Sequence, residues 1–123
     1  MITRLLAQLA VSDLAGAESW YGRLFGREPD ARPMDGLLEW HLTGSFGVQV
    51  WADGDRVGQA TIVLHESDLS GRVAALDAAG IEHDDVTDAT SAWILPLADP
   101  DGNRIVFTGS LSAGPGAPSP SGP

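Results

Sequence analysis

The chain has 123 residues, 43% of them hydrophobic, with 7 basic and 17 acidic side chains, no Lys, no Cys and a net charge of −10. That length and apolar fraction fit one globular domain with its own core. The acidic field argues against nucleic acid and anionic membranes as partners; no apolar run approaches the roughly 20 residues of a membrane span, and the lack of Cys excludes disulfides, zinc fingers and thiol nucleophiles.

The opening M-I-T-R-L-L-A-Q-L-A-V-S-D is too short and too soon interrupted for a signal peptide, so a cytoplasmic location is expected. Residues 5–11 form an apolar strand candidate that meets Ser12-Asp13, a helix-start signal. Leu14, Ala17, Tyr21, Leu24 and Phe25 then recur at helical spacing, and Gly26 suits a left-handed cap. Strands are predicted at residues 37–42 and 47–52, with a weaker one at 27–31. D-G-D-R-V-G, residues 53–58, is a joint, after which the pattern starts again. A strand at 60–65 meets Ser67-Asp68, Leu69, Val73 and Leu76 continue at helical spacing, and Gly80 closes the helix. Strands are predicted at 81–86, 91–98 and 104–108, the last two joined by a type I turn through Asp99, Pro100 and Gly102.

Ser12-Asp13-Leu14 and Gly16 match Ser67-Asp68-Leu69 and Gly71 at one constant offset, which makes the chain a tandem repeat. The predicted fold is α+β: two βαβββ modules, about 1–54 and 55–108, forming curved mixed sheets around a central cavity, helices outside. Residues 109–123 are Gly, Pro, Ser and Ala with one large apolar side chain, and are expected to be a disordered tail.

Residues 9–26 and the closing D-P-D-G-N-R-I-V-F, residues 99–107, resemble the vicinal oxygen chelate superfamily: glyoxalase I, extradiol dioxygenases, fosfomycin-resistance enzymes and bleomycin-resistance proteins. The resemblance covers residues 2–107. It implies a divalent ion held by His, Gln or Glu from four strands, at places that fall here on Leu6, Gln49, Thr61 and Val106. Leucine and valine offer no donor, and threonine and glutamine are neutral and weak. Neither a metal nor another cofactor is therefore expected, and no catalytic residue is assigned.

Strand alternation names what shares a face with those places: Gln8 with Leu6, Trp51 with Gln49, His65 with Thr61, and Arg104 with Val106. With Trp93 just ahead of the turn, these residues are expected to bind a small molecule, aromatic or cationic in character. Trp20 and Trp40 are expected in the core, His41 and His83 on the surface. A metal group of His65, Glu66 and Asp68 fails on parity, because Glu66 points away from His65.

The lack of charged ligands at those four places, with the resemblance, leads to a metal-free binding protein of the glyoxalase/bleomycin-resistance type that sequesters an antibiotic or other aromatic natural product. The resemblance implies a homodimer, and the Lys-free, Ala-, Gly- and Asp-rich usage points to a bacterial source. Two alternatives stay open. A divergent lyase, isomerase or dioxygenase could use the same cavity through His65, and a one-residue strand slip would bring in Glu66. An interaction domain would instead fill the hollow with its own side chains.

Overall fold

The computed structural model describes residues 1–90 and 92–110. The expected tail lies outside the described residues, apart from Gly109, which ends a strand, and Ser110. The elements are β1 (Leu5–Val11), α1 (Leu14–Phe25), β2 (Ala31–Met34), β3 (Leu37–His41), β4 (Phe46–Ala52), β5 (Thr61–His65), α2 (Leu69–Ala78), β6 (Thr87–Asp88), β7 (Trp93–Ala98) and β8 (Arg104–Gly109). This is βαβββ twice, an α+β fold of two four-stranded mixed sheets ordered β1-β4-β3-β2 and β5-β8-β7-β6. No described helix is long and apolar enough to cross a membrane.

The repeated Ser-Asp-Leu-x-Gly is a helix cap used twice. Asp13 accepts the Gly16 N–H and Asp68 the Gly71 N–H, so each carboxylate takes up a donor that the first turn leaves orphaned. A Cβ on Gly16 would stand 2.7 Å from Asp13 Oδ2, so a side chain there must push the cap aside. Gly26 ends α1 at φ 72°, and Gly80, at φ 70°, follows α2, where the Gly80 and Ile81 N–H groups reach back to Asp77 and Leu76 carbonyls.

The chain clusters into two compact units. The first comprises Met1–Thr61 and Asp99–Arg104. In it β1 runs parallel to β4, and β3 is antiparallel to both β4 and β2. The register puts Leu9, Val11, Val48, Val50, Leu38 and Trp40 on one face, all buried, and α1 packs there through Trp20, Tyr21 and Leu24. The rings of Tyr21 and Phe25 lie 6.0 and 5.9 Å from that of Trp40, and the Trp40 indole N–H donates to the Arg27 carbonyl at 3.0 Å. Trp20 and Trp40 are therefore core residues.

The D-P-D-G-N turn is the polar hub of this unit. Asp99 accepts the buried Tyr21 hydroxyl at 2.7 Å, the Asn103 N–H at 2.8 Å, the Asn103 side-chain amide at 2.8 Å and the Asp101 N–H at 3.0 Å. Asn103 also donates to the Ala10 carbonyl and accepts the Ala60 N–H, while Asp101 receives both the Ser12 N–H and hydroxyl. Burial, and then the neighbouring Asp99 charge, push the Tyr21 phenol far up, so it stays a donor.

The second unit holds Ile62–Ala98 and the described residues from Ile105 on. Leu69 and Leu76 of α2 are buried, as are Leu95, Leu97, Ile105 and Phe107 in the sheet. Arg72 stacks its guanidinium 4.8 Å above the Phe107 ring and pairs with Glu66 at 2.9 Å.

Two predicted strands move. The strand expected at 27–31 is β2, Ala31–Met34: Arg27 N–H closes α1 on Gly22, and Asp30 is occupied in accepting the His41 N–H. Residues 81–86 form no strand, because Ile81 caps α2 and His83 is bound to Asp77 and the Asp84 carbonyl. Only Thr87 and Asp88 pair, with Ile94 and Trp93.

Candidate functional site

The face of the first sheet opposite α1 carries Leu6, Gln8 and Ala10 from β1, Gln49 and Trp51 from β4, and Leu37, Glu39 and His41 from β3. Gln8 and Glu39 both stand in register with Gln49, and the three side chains join into one row. Gln8 Nε2 donates to Gln49 Oε1 at 3.1 Å, and Gln49 Nε2 donates to Glu39 Oε2 at 2.6 Å. His41 Nε2 lies 2.8 Å from the other oxygen, Glu39 Oε1, with Arg4 at 3.9 Å from it. Trp51 follows Gln49 on the same face, half-buried.

Glu39 is only 6% exposed and is the residue the sequence reading missed. Its signal was E-W-H: residues 39 and 41 share a face while Trp40 points into the core. His41, expected at the surface, is half-buried as a result of this contact. The His41 ring first, and then the Gln49 amide, hold the Glu39 carboxyl below its ordinary 4.5 despite burial. The folded pKa lies under the unfolded one, so the stability Glu39 contributes is fully present above about pH 4.5 and is lost as pH falls through the folded value. Urea unfolding of the wild type and Glu39→Gln across pH 2.5–7 is expected to show a shallower acid limb in the variant.

Next to the row lies a cleft of about 330 Å³ lined by Gln8, Ala10, Arg56, Gln59 and Ala60. The 53–58 joint shapes its rim: the Gly58 N–H donates to the Ala10 carbonyl at 3.4 Å, and Ala60 is fixed by Asn103. Arg56 is 76% exposed at its side chain, with Asp53 Oδ2 3.9 Å away, so its charge is solvated and partnered.

The other expected site residues lie on the second sheet. Thr61 and His65 are exposed on β5, and His65 Nδ1 is 3.2 Å from Thr108 Oγ1. Val106 shares a face of β8 with Arg104 and Thr108, opposite the buried Ile105 and Phe107. Trp93 shares its parity with the buried Leu95 and Leu97 of β7. Glu66 points to Arg72 and accepts the Asp68 N–H, away from His65. His83, expected at the surface, has a side chain 15% exposed. The Asp84 carbonyl first, and then Asp77, push its pKa up.

A divalent ion does not fit the places the family resemblance assigns it. Leu6 and Val106 have no donor atom, Thr61 offers one neutral hydroxyl, and both polar atoms of Gln49 are engaged by Gln8 and Glu39. Among the described residues no group of three or more His, Cys, Asp or Glu is arranged to hold a metal.

Neither a family profile nor a curated protein matches the sequence. Solved structures do. A glyoxalase/bleomycin resistance protein from Catenulispora acidiphila superposes with a TM-score of 0.80 at 27% identity, over 86% of this chain and 96% of that one. TnmS3, an antibiotic binding protein from Streptomyces sp. CB03234, gives 0.74 at 20% identity, over 85% and 93%. A lactoylglutathione lyase from Agrobacterium tumefaciens gives 0.71 at 17% identity, over 85% and 91%.

Proposed function

The chain has the vicinal oxygen chelate fold of the glyoxalase/bleomycin-resistance proteins, and from that premise we propose that it captures a small organic ligand without a metal. The observation that carries this reading is the Gln8–Gln49–Glu39 row, with the Trp51 indole beside it, at the edge of a ligand-sized cleft. Hydrogen-bonding side chains flanked by an aromatic face hold a flat polar molecule. They do not supply the Lewis acid of the family's metal enzymes. An antibiotic or related aromatic natural product suits that surface, and the antibiotic-binding neighbour has the same fold. Gln49 and Trp51 join Gln8 as the proposed contact residues of this face, and Thr61, His65, Arg104 and Val106 are proposed as contacts on the second sheet, in a bacterial cytoplasmic homodimer; Trp93, on the face of the buried Leu95 and Leu97, is not among them.

Titration with bleomycin and with planar aromatic antibiotics, followed by tryptophan fluorescence, tests this. Trp20 and Trp40 are sealed in the core, whereas Trp51 is half-buried on the row's face. Saturable quenching is expected in the wild type and most of it is expected to be lost in Trp51→Phe. A flat response across the panel, or one equal ion of Ni²⁺ or Zn²⁺ per chain in native mass spectrometry, would overturn the reading.

A further inference from the structure

Of the three histidines, His83 is the one whose contacts a neutral ring does not satisfy. His41 meets a carboxylate oxygen through Nε2, and His65 meets the Thr108 hydroxyl, which donates or accepts. One N–H serves either ring. His83 Nδ1 lies 2.8 Å from the Asp84 carbonyl oxygen, and its Nε2 lies 2.8 Å from Asp77 Oδ1. A carbonyl and a carboxylate both accept and neither donates. A neutral imidazole has a single N–H, so one of the two contacts would set lone pair against lone pair. The imidazolium donates at both.

The two acceptors belong to different elements. Asp77 stands in the last turn of α2, and Asp84 in the loop that leaves the helix at Gly80. The ring bridges them with its side chain 15% exposed, and with Gly80, Ile81 and Glu82 it walls a cleft of about 510 Å³. The same loop carries the buried Ile81 and is tied to β7 by the Asp84 N–H on the Pro96 carbonyl at 2.9 Å. The ionisable side chains around the ring are acidic: Asp77 from α2, and Glu82, Asp84 and Asp85 from the loop. Arg72 of α2 is turned to Glu66 and Phe107, and β7 brings no titratable side chain.

We propose that His83 is a pH-sensitive clasp: protonated, it fastens the 80–86 loop to the last turn of α2, and deprotonated, it lets the loop part from the helix and the cleft widen. This goes beyond ligand capture on the first sheet and does not depend on it. The Asp84 carbonyl first, and then Asp77, raise the pKa of the ring above its ordinary 6.5, against the opposing effect of burial. The folded pKa lies over the unfolded one, so the stabilisation is fully present below about pH 6.5 and is lost as pH rises through the folded value.

The full chain, ¹⁵N-labelled, provides the test. Ring ¹H–¹⁵N spectra at pH 6 are expected to show both His83 nitrogens protonated. The opening constant of the Asp84 amide comes from hydrogen exchange, corrected for the intrinsic pH dependence of the rate. It is expected to rise at least about tenfold between pH 6 and pH 9, the loss of one hydrogen bond to a charged group. Asp77→Asn, at a side chain 64% exposed, is the discriminating variant. Its amide can donate to Nε2 of the neutral ring while Nδ1–H keeps the Asp84 carbonyl, so the loop stays fastened and the rise is expected to vanish. A ring that merely fills space would not respond to that change. His83→Gln has no proton to lose and is expected to open as readily at pH 6 as the wild type does at pH 9. A single protonated nitrogen at pH 6, a wild-type opening constant that does not change with pH, or an equal rise in Asp77→Asn or His83→Gln each overturns the clasp.

Discussion

Alanine at position 99 is expected to cost the protein about 3–5 kcal/mol, because each buried donor left without its acceptor costs roughly 1–3 kcal/mol. The Asp99 carboxylate is 5% exposed and receives the hydroxyl of Tyr21 and the backbone N–H of Asn103, both residues fully buried. On a chain of this size the loss corresponds to a fall in Tm of roughly 10–20 °C. Tyr21→Phe is the informative comparison. It removes one donor but leaves Asp99 Oδ2 bonded to the Asn103 side chain, so about 1 kcal/mol is expected. Thermal and urea unfolding of both variants would settle the matter. If Asp99→Ala cost no more than Tyr21→Phe, the hub would be dispensable and the turn an ordinary connection.

The second large effect is expected at Gly58. Its φ is +76°, where an L side chain costs about 1–2 kcal/mol, and a Cβ would in addition run into the backbone carbonyl oxygen of Asp101. A backbone oxygen cannot rotate away, so the 53–58 joint must shift; with the overpacking included, Gly58→Ala is expected to destabilise by about 2–4 kcal/mol. The consequence reaches the cleft. Arg56, Gln59 and Ala60 line it from the segment that Gly58 pins to Ala10, so the rim moves with the joint. Affinity for an aromatic ligand should fall together with stability in Gly58→Ala. In Gly54→Ala, where a Cβ meets nothing within 4 Å, neither should change. A Gly58→Ala protein with wild-type Tm and wild-type binding would show that the joint plays no part in shaping the cleft.

How much of this was legible in the sequence follows from how local each determinant is. The helix caps were, because Asp13 and Gly16, or Asp68 and Gly71, settle their geometry within one turn. The Gln8, Gln49 and Trp51 face was, because strand parity carries it. Residues 81–86 were not. The β-branched Ile81 and Val86 are outweighed there by the acidic residues between them and by Asp77, Leu76 and Pro96, which take up the side chain of His83 and the N–H groups of Ile81 and Asp84. Glu39 was missed for a related reason: a buried carboxylate is tolerable only through partners supplied by a neighbouring strand, and pairing register is invisible until strands are placed. The D-P-D-G-N turn was read correctly as a turn. Its work as a hub depends on Tyr21 and Ala10, 78 and 93 residues away in sequence.

The shortness of β6 also bears on what the second sheet can do in a crowded solution. Among the described residues Thr87 and Asp88 are the strand residues paired to β7 on that side, and an open strand margin is the arrangement from which runaway strand addition and fibrillar aggregation start. Pro96 stands in the middle of that stretch. It has no N–H to offer an incoming strand, and its carbonyl is already taken by Asp84. The proline thus blunts that margin against an incoming strand.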